Sequence, residues 1–279
     1  MKKLLIRTLT GALFVALVVF SVLFSQTVLF NVFLVFTCLG LYEYRSMLLP
    51  NGVRLPVLFY VIGLAVYFLL SVEVLQFPFQ RVLLLSFCLL LLFMVAALFQ
   101  KDFAEAVQTL GYEFVGVLWI VLPFALLNFF PLIGGKVVTG NEPSPGQWLL
   151  LAFFITIWAN DTFAYLVGSL LGKHPMCVRV SPKKTWEGTV GGALLTLALA
   201  AFYPRIFGFL ALPAPFWAGF ALLIVLAGTL GDLVESMFKR RMQVKDSGDI
   251  LPGHGGVLDR FDSTLLSLPF VLLYIVCML

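Results

Sequence analysis

The sequence has 279 residues, of which 61% are hydrophobic and only 11% are charged, and its formal net charge is +4. Soluble domains carry about 25% charged residues, so a chain this apolar is excluded from the soluble class. Apolar runs of roughly 20 residues recur from end to end, and the alternating pattern of membrane β-strands is absent. We therefore expect an all-α fold, a polytopic integral membrane protein.

Nine hydrophobic segments are predicted as transmembrane helices. The first segment follows a basic N-terminus, and no small-residue cleavage site follows it. We interpret this segment as a retained helix rather than a removed signal peptide. The nine segments run approximately 9–24, 28–42, 55–72, 82–99, 111–133, 148–171, 188–208, 210–230 and 262–279.

Basic residues divide unequally between the two sides of this arrangement. With the N-terminus in the cytoplasm, only Arg81, Lys136 and Arg205 of the 18 basic residues lie outside, which leaves 15 on the cytoplasmic side. This is the bias that the positive-inside rule predicts. The polar loops 172–187 and 232–261 then face the cytoplasm. We expect one transmembrane domain, 1–279, in which residues 1–145 are mainly scaffold and residues 146–279 form the working half.

Charged residues near the second and sixth segments have different interpretations. Glu43, Tyr44 and Arg45 follow the second segment, and we interpret them as an interfacial aromatic with flanking charges. Asp161 lies near the middle of the sixth segment. A carboxylate at that depth costs about 3 kcal/mol or more, which favours a functional role.

The sixth segment also carries small residues on the face of Asp161. Asp161, Tyr165, Gly168 and Gly172 share one helix face by their spacing. The glycines allow close approach of another helix, which we favour, or of a ligand.

The loop after the sixth segment is rich in polar and turn-forming residues. Its segment Ser181–Gly188 reads SPKKTWEG, which predicts an ordered turn into the next helix. Lys183 and Lys184 either neutralise phosphate or extend to the membrane interface.

The loop that precedes the last segment concentrates acidic, basic and glycine residues. Clustered carboxylates repel one another, so a cation is expected among them. Mg²⁺ prefers oxygen ligands and commonly accompanies substrate phosphates, which basic side chains and glycine amides also bind. This combination favours phosphoryl or nucleotidyl transfer, and the absence of GxxxxGK[ST] excludes a P-loop ATPase. The polar stripe at the start of this region comprises Asp232, Glu235, Ser236 and Lys239, and Asp259 and Asp262 open the last helix at i and i+3.

His254 stands in this loop within a His-Gly-Gly sequence. It is either a loop histidine satisfied by its neighbours or a group that binds substrate or phosphate, and we favour the second interpretation.

The same loop resembles the signature of the phosphatidate cytidylyltransferases, the CDP-diacylglycerol synthases. The upstream segments around Asp161, Gly172–His174 and Ser181–Gly188 also resemble bacterial members, so the detailed match covers roughly residues 155–265. The matching positions are Ser236, Lys239, Arg240, Lys245, Asp246, Gly248, Leu251, Pro252, His254, Gly255, Gly256, Asp259, Arg260 and Asp262.

The resemblance implies a reaction in which CTP and phosphatidic acid form CDP-diacylglycerol and pyrophosphate with Mg²⁺, and a second, monovalent cation such as K⁺ is plausible beside it. It implies Asp232 and Asp259, then Asp246 and Asp161, as metal ligands. The implied catalytic residues are Asp232, Asp246, Asp259, Lys245 and His254. The implied substrate-binding residues are Ser181, Lys183, Lys184, Lys239, Arg240, Arg260, Gly255 and Gly256.

The expected partners are CTP, phosphatidic acid, membrane lipids and a second copy of the chain in a homodimer, without nucleic acid. The expected location is the bacterial inner membrane, as a multi-pass protein whose active site faces the cytoplasm. One alternative is another lipid-phosphate transferase, such as a CDP-alcohol phosphotransferase, although the DGxxAR pattern of that family is missing. A second alternative is an ion-coupled transporter that uses Asp161 and Asp232.

Overall fold

A computed structural model describes residues 2–71, 79–99, 102–134 and 142–279. It confirms the predicted class, because each of the nine hydrophobic segments overlaps a helix. Within these ranges, seven helices are long and apolar enough to cross a membrane, and Val57–Ser71 and Leu85–Ala97 are shorter apolar helices. Lys101 and Lys136, which enter the charge count, lie outside the described residues.

The chain divides into two compact units. Unit 1 comprises residues 1–129 and 246–260, and unit 2 comprises residues 130–245 and 261–279. The second part of the polar loop, residues 246–260, therefore belongs to the unit of the N-terminal helices. We refer to these residues as loop 246–260. The expected division between a scaffold half and a catalytic half stays a prediction.

Helices α1 to α6 form unit 1. Ser25 separates the first two helices, because its hydroxyl caps the second by accepting from Val28 N. Asp102 caps α5 in the same way, accepting from Ala104 N and Glu105 N. The helices are α1 Lys2–Phe24, α2 Gln26–Leu48, α3 Val57–Ser71, α4 Phe79–Ala97, α5 Phe103–Gly116 and α6 Leu122–Leu126, and a π-helical segment Val117–Val121 joins the last two.

Glu43 and Tyr44 lie inside unit 1 rather than at a membrane surface. Their exposed fractions are 1% and 0%, and the Tyr44 hydroxyl donates to the carbonyl of Tyr112 at 2.9 Å. Arg45 is exposed. The interpretation of Glu43 and Tyr44 as an interfacial group is therefore wrong, because α2 turns both side chains into the packed interior.

Unit 2 contains a small sheet and the remaining helices, except for residues 258–260 at the start of the last helix, which belong to unit 1. A capping box between Ser144 and Gln147 starts its first helix. The two strands pair antiparallel, with Pro175 opposite Thr185 and Cys177 opposite Ser181. The elements are α7 Pro145–Leu171, β1 Pro175–Cys177, β2 Ser181–Thr185, α8 Trp186–Ala200, α9 Tyr203–Ile206, α10 Ala214–Arg241 and α11 Leu258–Met278.

Helices α7 and α8 approach closely through small residues. A Cβ on Gly188 would lie 2.8 Å from the Ala164 carbonyl oxygen, and one on Gly168 would lie 3.2 Å from Thr185 Oγ1. A Cβ on Gly172 would also meet Thr185. These contacts support the preferred interpretation of Gly168 and Gly172 as packing residues, and Gly168 also lines a cavity.

Candidate active site

Unit 2 contains a cavity of about 370 Å³ between α7, β2, α8 and α10. Polar groups from all four elements reach it, which suits a polar ligand rather than a purely apolar one. Its lining residues are Asp161, Ala164, Tyr165, Gly168, Ser169, Ser181, Lys183, Lys184, Thr185, Gly188, Thr189 and Asp232.

The strand–helix junction at Thr185 sets one wall of the cavity. The Thr185 hydroxyl caps α8 by accepting from Gly188 N at 3.2 Å. The Glu187 carboxylate accepts from the backbone amides of Lys173 and His174 and contacts the His174 ring. The predicted ordered turn is therefore confirmed, and it includes a strand that the sequence did not suggest.

Lys184 and Asp232 form an ion pair at the cavity. Lys184 Nζ lies 2.6 Å from Asp232 Oδ2, and both side chains are half-buried. The Ser236 hydroxyl donates to the other oxygen of Asp232 at 3.2 Å. Both lysines line the cavity, Lys184 half-buried and Lys183 exposed, and their phosphate contacts stay predictions.

Three aspartates of unit 2 influence one another electrostatically. The negative charges of Asp232 and Asp161 act on half-buried Asp262, and the Lys239 ammonium partly offsets them. Asp262 was not among the predicted site residues, although its spacing from Asp259 was noted. In the described part of the chain, no group of three or more His, Cys, Asp or Glu side chains has converged into metal-ligand geometry.

Two basic residues near the end of α10 are engaged within unit 2. Lys239 Nζ lies 3.1 Å from the carboxylate of Glu235, which is fully buried, and the Lys239 side chain is only 12% exposed. Arg240 donates to the carbonyls of Val180 and Val244 at 3.3 and 3.4 Å. The polar stripe on α10 is confirmed, and its substrate contacts stay predictions.

Asp259 organises loop 246–260 in unit 1. Its Oδ2 accepts from Ser247 N and Gly256 N, both at 2.8 Å. It also lies 3.0 Å from Ser247 Oγ, whose single proton is shared with Glu43 Oε2 at 2.9 Å. The loop reverses at Gly255, whose φ of 79° is in the left-handed region that glycine favours. Asp259 as a metal ligand stays a prediction.

His254 contacts helix α1. Its Nδ1 lies 2.7 Å from the Thr10 hydroxyl, which also donates to the carbonyl of Pro252 at 3.2 Å. Burial, together with the positive charges of Arg260 and Arg7, holds the pKa of His254 below its ordinary value of 6.5. The histidine therefore tends to stay neutral, as a hydrogen-bonding group rather than a fixed cation.

The remaining predicted residues differ in their exposure. Lys245, Asp246 and Arg260 are exposed, and Gly256 is buried. Exposed basic side chains suit binding to charged phosphates, and their roles stay predictions.

Sequence reasoning missed Glu43, Ser247 and Thr10. Glu43 accepts three hydrogen bonds from the stretch 247–258, and Ser247 links it to Asp259. A signal for Glu43 was the charge directly after an apolar segment, but this signal also fits an interfacial residue. Thr10 carried no signal, because a threonine within an apolar segment is unremarkable.

Comparison with known proteins places this site in a family. The model of the Cytidylyltransferase family matches residues 5–278. A phosphatidate cytidylyltransferase of Haemophilus influenzae is 40% identical over 157 residues, which cover 53% of this chain and 54% of that protein. Proteins of the same name from Staphylococcus aureus (strain COL) and Bacillus subtilis are each 47% identical, over 132 and 117 residues.

The Staphylococcus match covers 46% of this chain and 49% of that protein, and the Bacillus match covers 42% and 43%. The chain thus spans about half the length of the curated relatives it matches. The family model, in contrast, extends over nearly the whole sequence and includes both units. This chain, a multi-pass α-helical membrane protein, belongs to the Cytidylyltransferase family.

Proposed function

We propose that this chain transfers the cytidylyl group of CTP to phosphatidic acid, forming CDP-diacylglycerol and pyrophosphate. Membership of the family and the name shared by the relatives support this activity. The observation that carries the proposal is the cavity in unit 2, where Lys183, Lys184 and Ser181 meet Asp232 and Asp161. Cationic and hydroxyl groups beside carboxylates are what a phosphate-rich substrate and its counter-ion need.

The reaction is an in-line displacement at phosphorus. A phosphate oxygen of phosphatidic acid forms a bond to the α-phosphorus of CTP, and the bond to the β-phosphate oxygen breaks. Pyrophosphate leaves with its electron pair. Because the attacking phosphate is anionic at neutral pH, no strong general base is required, which fits a chain with two histidines.

The residues of the cavity position and neutralise the reacting phosphates. Lys183 is exposed at the wall and is available to an incoming phosphate. Lys184 exchanges part of its pairing with Asp232 for a phosphate oxygen, and Ser181 donates a hydrogen bond. Such preorganised charge stabilises the transition state more than the ground state.

Mg²⁺ suits the chemistry of the carboxylates in unit 2, although within the described residues they are not gathered into a ligand set. Asp161, Asp232 and Asp262 offer hard carboxylate oxygens whose mutual repulsion a cation relieves. When bound, the ion neutralises the charge that develops on the phosphates. We propose Asp232 and Asp161 as the carboxylates of unit 2 that would hold it. Asp246 and Asp259, which belong to unit 1, and a companion K⁺ stay predictions.

We further propose contacts outside the cavity for the remaining substrate groups. Lys239, Arg240, Lys245, Arg260 and His254 bind phosphate oxygens of CTP or the lipid headgroup. In unit 1 the backbone amide of Gly255 approaches a phosphate oxygen, which glycine permits because it has no side chain. The Gly256 amide donates to Asp259 at 2.8 Å, so its substrate contact stays a prediction. The chain acts as a homodimer in the bacterial inner membrane, and the cytoplasmic side, where CTP is available, carries the site.

The test is a product assay with the purified full chain in detergent or lipid nanodiscs. With Mg²⁺, phosphatidic acid and CTP labelled in the cytidine, we expect labelled CDP-diacylglycerol and an equal amount of released pyrophosphate. A parallel reaction without phosphatidic acid should give neither product. Failure to form any lipid-linked CMP, with the protein folded, would reject the proposed activity.

A further inference from the structure

Glu43 is a buried carboxylate with a complete set of hydrogen-bond donors. Its exposed fraction is 1%, and burial of a charged group is costly unless hydrogen bonds compensate. Glu43 Oε1 accepts from Val257 N at 2.7 Å, and Oε2 accepts from Leu258 N at 3.0 Å and from Ser247 Oγ at 2.9 Å. All three donors belong to one stretch of chain far from Glu43 in sequence.

Two of these donors are amides at the start of α11. Amides in the first turn of a helix have no acceptor within the helix, and the helix dipole favours a negative charge there. The acceptor for these amides is usually the side chain of the residue directly before the helix, the N-cap. Here the acceptor comes from α2, 214 and 215 positions away, so Glu43 caps the amide of Leu258 and that of Val257 just before α11.

The third donor connects Glu43 to Asp259. Ser247 Oγ lies 2.9 Å from Glu43 Oε2 and 3.0 Å from Asp259 Oδ2. Asp259 also accepts from the amides of Ser247 and Gly256. The two carboxylates therefore hold loop 246–260 from two sides and share one serine.

The glycines of this loop fit against Glu43. A Cβ on Gly248 would lie 3.0 Å from Glu43 Cγ and Oε1, and a Cβ on Gly256 would overlap both Glu43 and Ser247. At both positions a side chain would collide with Glu43 of α2, which explains why glycine fits there. The loop conformation depends on that close contact.

We propose that Glu43 is a positioning residue for the reaction, which sets the place of the Asp259 carboxylate and of the Gly256 amide by holding Ser247 and the first amides of α11. This inference rests on the proposed function, because Asp259 and Gly256 are predicted site groups. Glu43 itself contacts no reacting atom in this scheme. It acts through Ser247, whose hydroxyl lies within hydrogen-bond distance of both Glu43 and Asp259.

The experiment measures kcat and KM for CTP and phosphatidic acid in Glu43→Gln, Ser247→Ala and the double variant. Glu43→Gln should lower kcat by about 10- to 100-fold, the usual cost of removing a group that orients a ligand, with either KM changed by less than about threefold. If both residues act through one contact, the double variant should lose about as much as the worse single variant. Hydrogen exchange of the amides in 246–258 should become faster in Glu43→Gln.

The matched control is Glu113→Gln, which alters another buried glutamate of unit 1, 2% exposed on α5. It should leave kcat and the exchange of 246–258 unchanged. A wild-type chain that forms no CDP-diacylglycerol rejects the proposed function. If the wild type is active, three results would reject the positioning role. Glu43→Gln could keep a normal kcat, or Glu113→Gln could lose as much kcat as Glu43→Gln. The double variant could also lose the product of the two single-variant losses. Should Glu43→Gln fail to fold, a normal kcat in Ser247→Ala rejects the positioning role as well.

Discussion

The two units hold their carboxylates in different ways. At the cavity of unit 2, Asp232 pairs with the Lys184 ammonium, and both side chains are half-buried. In unit 1, Glu43 and Asp259 accept from backbone amides and a serine hydroxyl. A lysine beside a cavity can exchange partners with an incoming anion, whereas amides fixed in the backbone hold one geometry. We therefore expect the first arrangement to respond to a bound anion and the second to fix the shape of loop 246–260.

Removal of the charge of Asp232 should give the largest effect. Asp232→Asn eliminates one carboxylate of the unit 2 cluster and the partner of Lys184, so kcat should fall by about 100- to 1000-fold. The control is Asp249→Asn, at an exposed aspartate of loop 246–260, which should keep near-normal turnover. Near-normal product formation by Asp232→Asn would contradict the expectation that the carboxylate of Asp232 is needed for turnover.

The two lysines of the cavity should differ in importance. Lys184 is half-buried and lies 2.6 Å from Asp232, whereas Lys183 is exposed. Lys184→Met should therefore lower kcat/KM for CTP by about 10- to 100-fold, because it leaves Asp232 without its cation. Lys183→Met should cost less, since water screens an exposed charge. Equal losses, measured in parallel titrations with CTP, would contradict this ranking.

A methyl group between α7 and α8 should disturb unit 2 without touching its charges. Gly188→Ala places a Cβ 2.8 Å from the Ala164 carbonyl oxygen, and overpacking of this kind costs about 1–3 kcal/mol. The matched control is Gly111→Ala in α5, where an added Cβ has open space. Thermal unfolding in detergent should show a lower midpoint for Gly188→Ala and an equal or higher midpoint for Gly111→Ala. Equal midpoints would show that the helices separate without cost.

The smallest effect concerns acid stability of unit 1. The pKa of His254 is lower in the folded chain than its ordinary value of 6.5, so the unfolded chain binds the proton more readily. Its contribution to stability is therefore complete above pH 6.5 and is lost as the pH falls through 6.5 and then through the folded-state pKa. His254→Gln should show a flatter decline of the unfolding temperature between pH 7 and pH 5. If the unfolding temperature falls equally with pH in the wild type and in His254→Gln, the lowered pKa of His254 would be contradicted.

Much of the fold was predictable because a bilayer restricts the chain to few solutions. Apolar runs of spanning length must form helices, and the nine predicted segments each overlap one. Asp161 lines the cavity, as expected from the energetic cost of a carboxylate within an apolar helix, and its function stays a prediction. Strands β1 and β2 were missed because three and five residues are too few for a visible alternation.

The contacts of Lys184 and Glu43 were beyond sequence reasoning for another reason. Each side chain has several acceptable environments, and only the fold selects one. Glu43 meets Ser247 across 204 positions of chain, and no periodic pattern encodes such a distance. Asp262 was closer to detection, because its spacing from Asp259 was visible, but the neighbours that act on it, Asp232 and Asp161, come from other helices.

The contact between Thr10 and His254 has a practical consequence for work with shortened versions of this protein. The first helix follows a basic N-terminus and is easily taken for a removable leader. A version that starts after Phe24 would lack Thr10, whose hydroxyl lies 2.7 Å from His254 Nδ1, and Arg7, whose side chain packs on Gly253. Loop 246–260 would lose both contacts, so a loss of activity in that version would not by itself locate the defect within the loop.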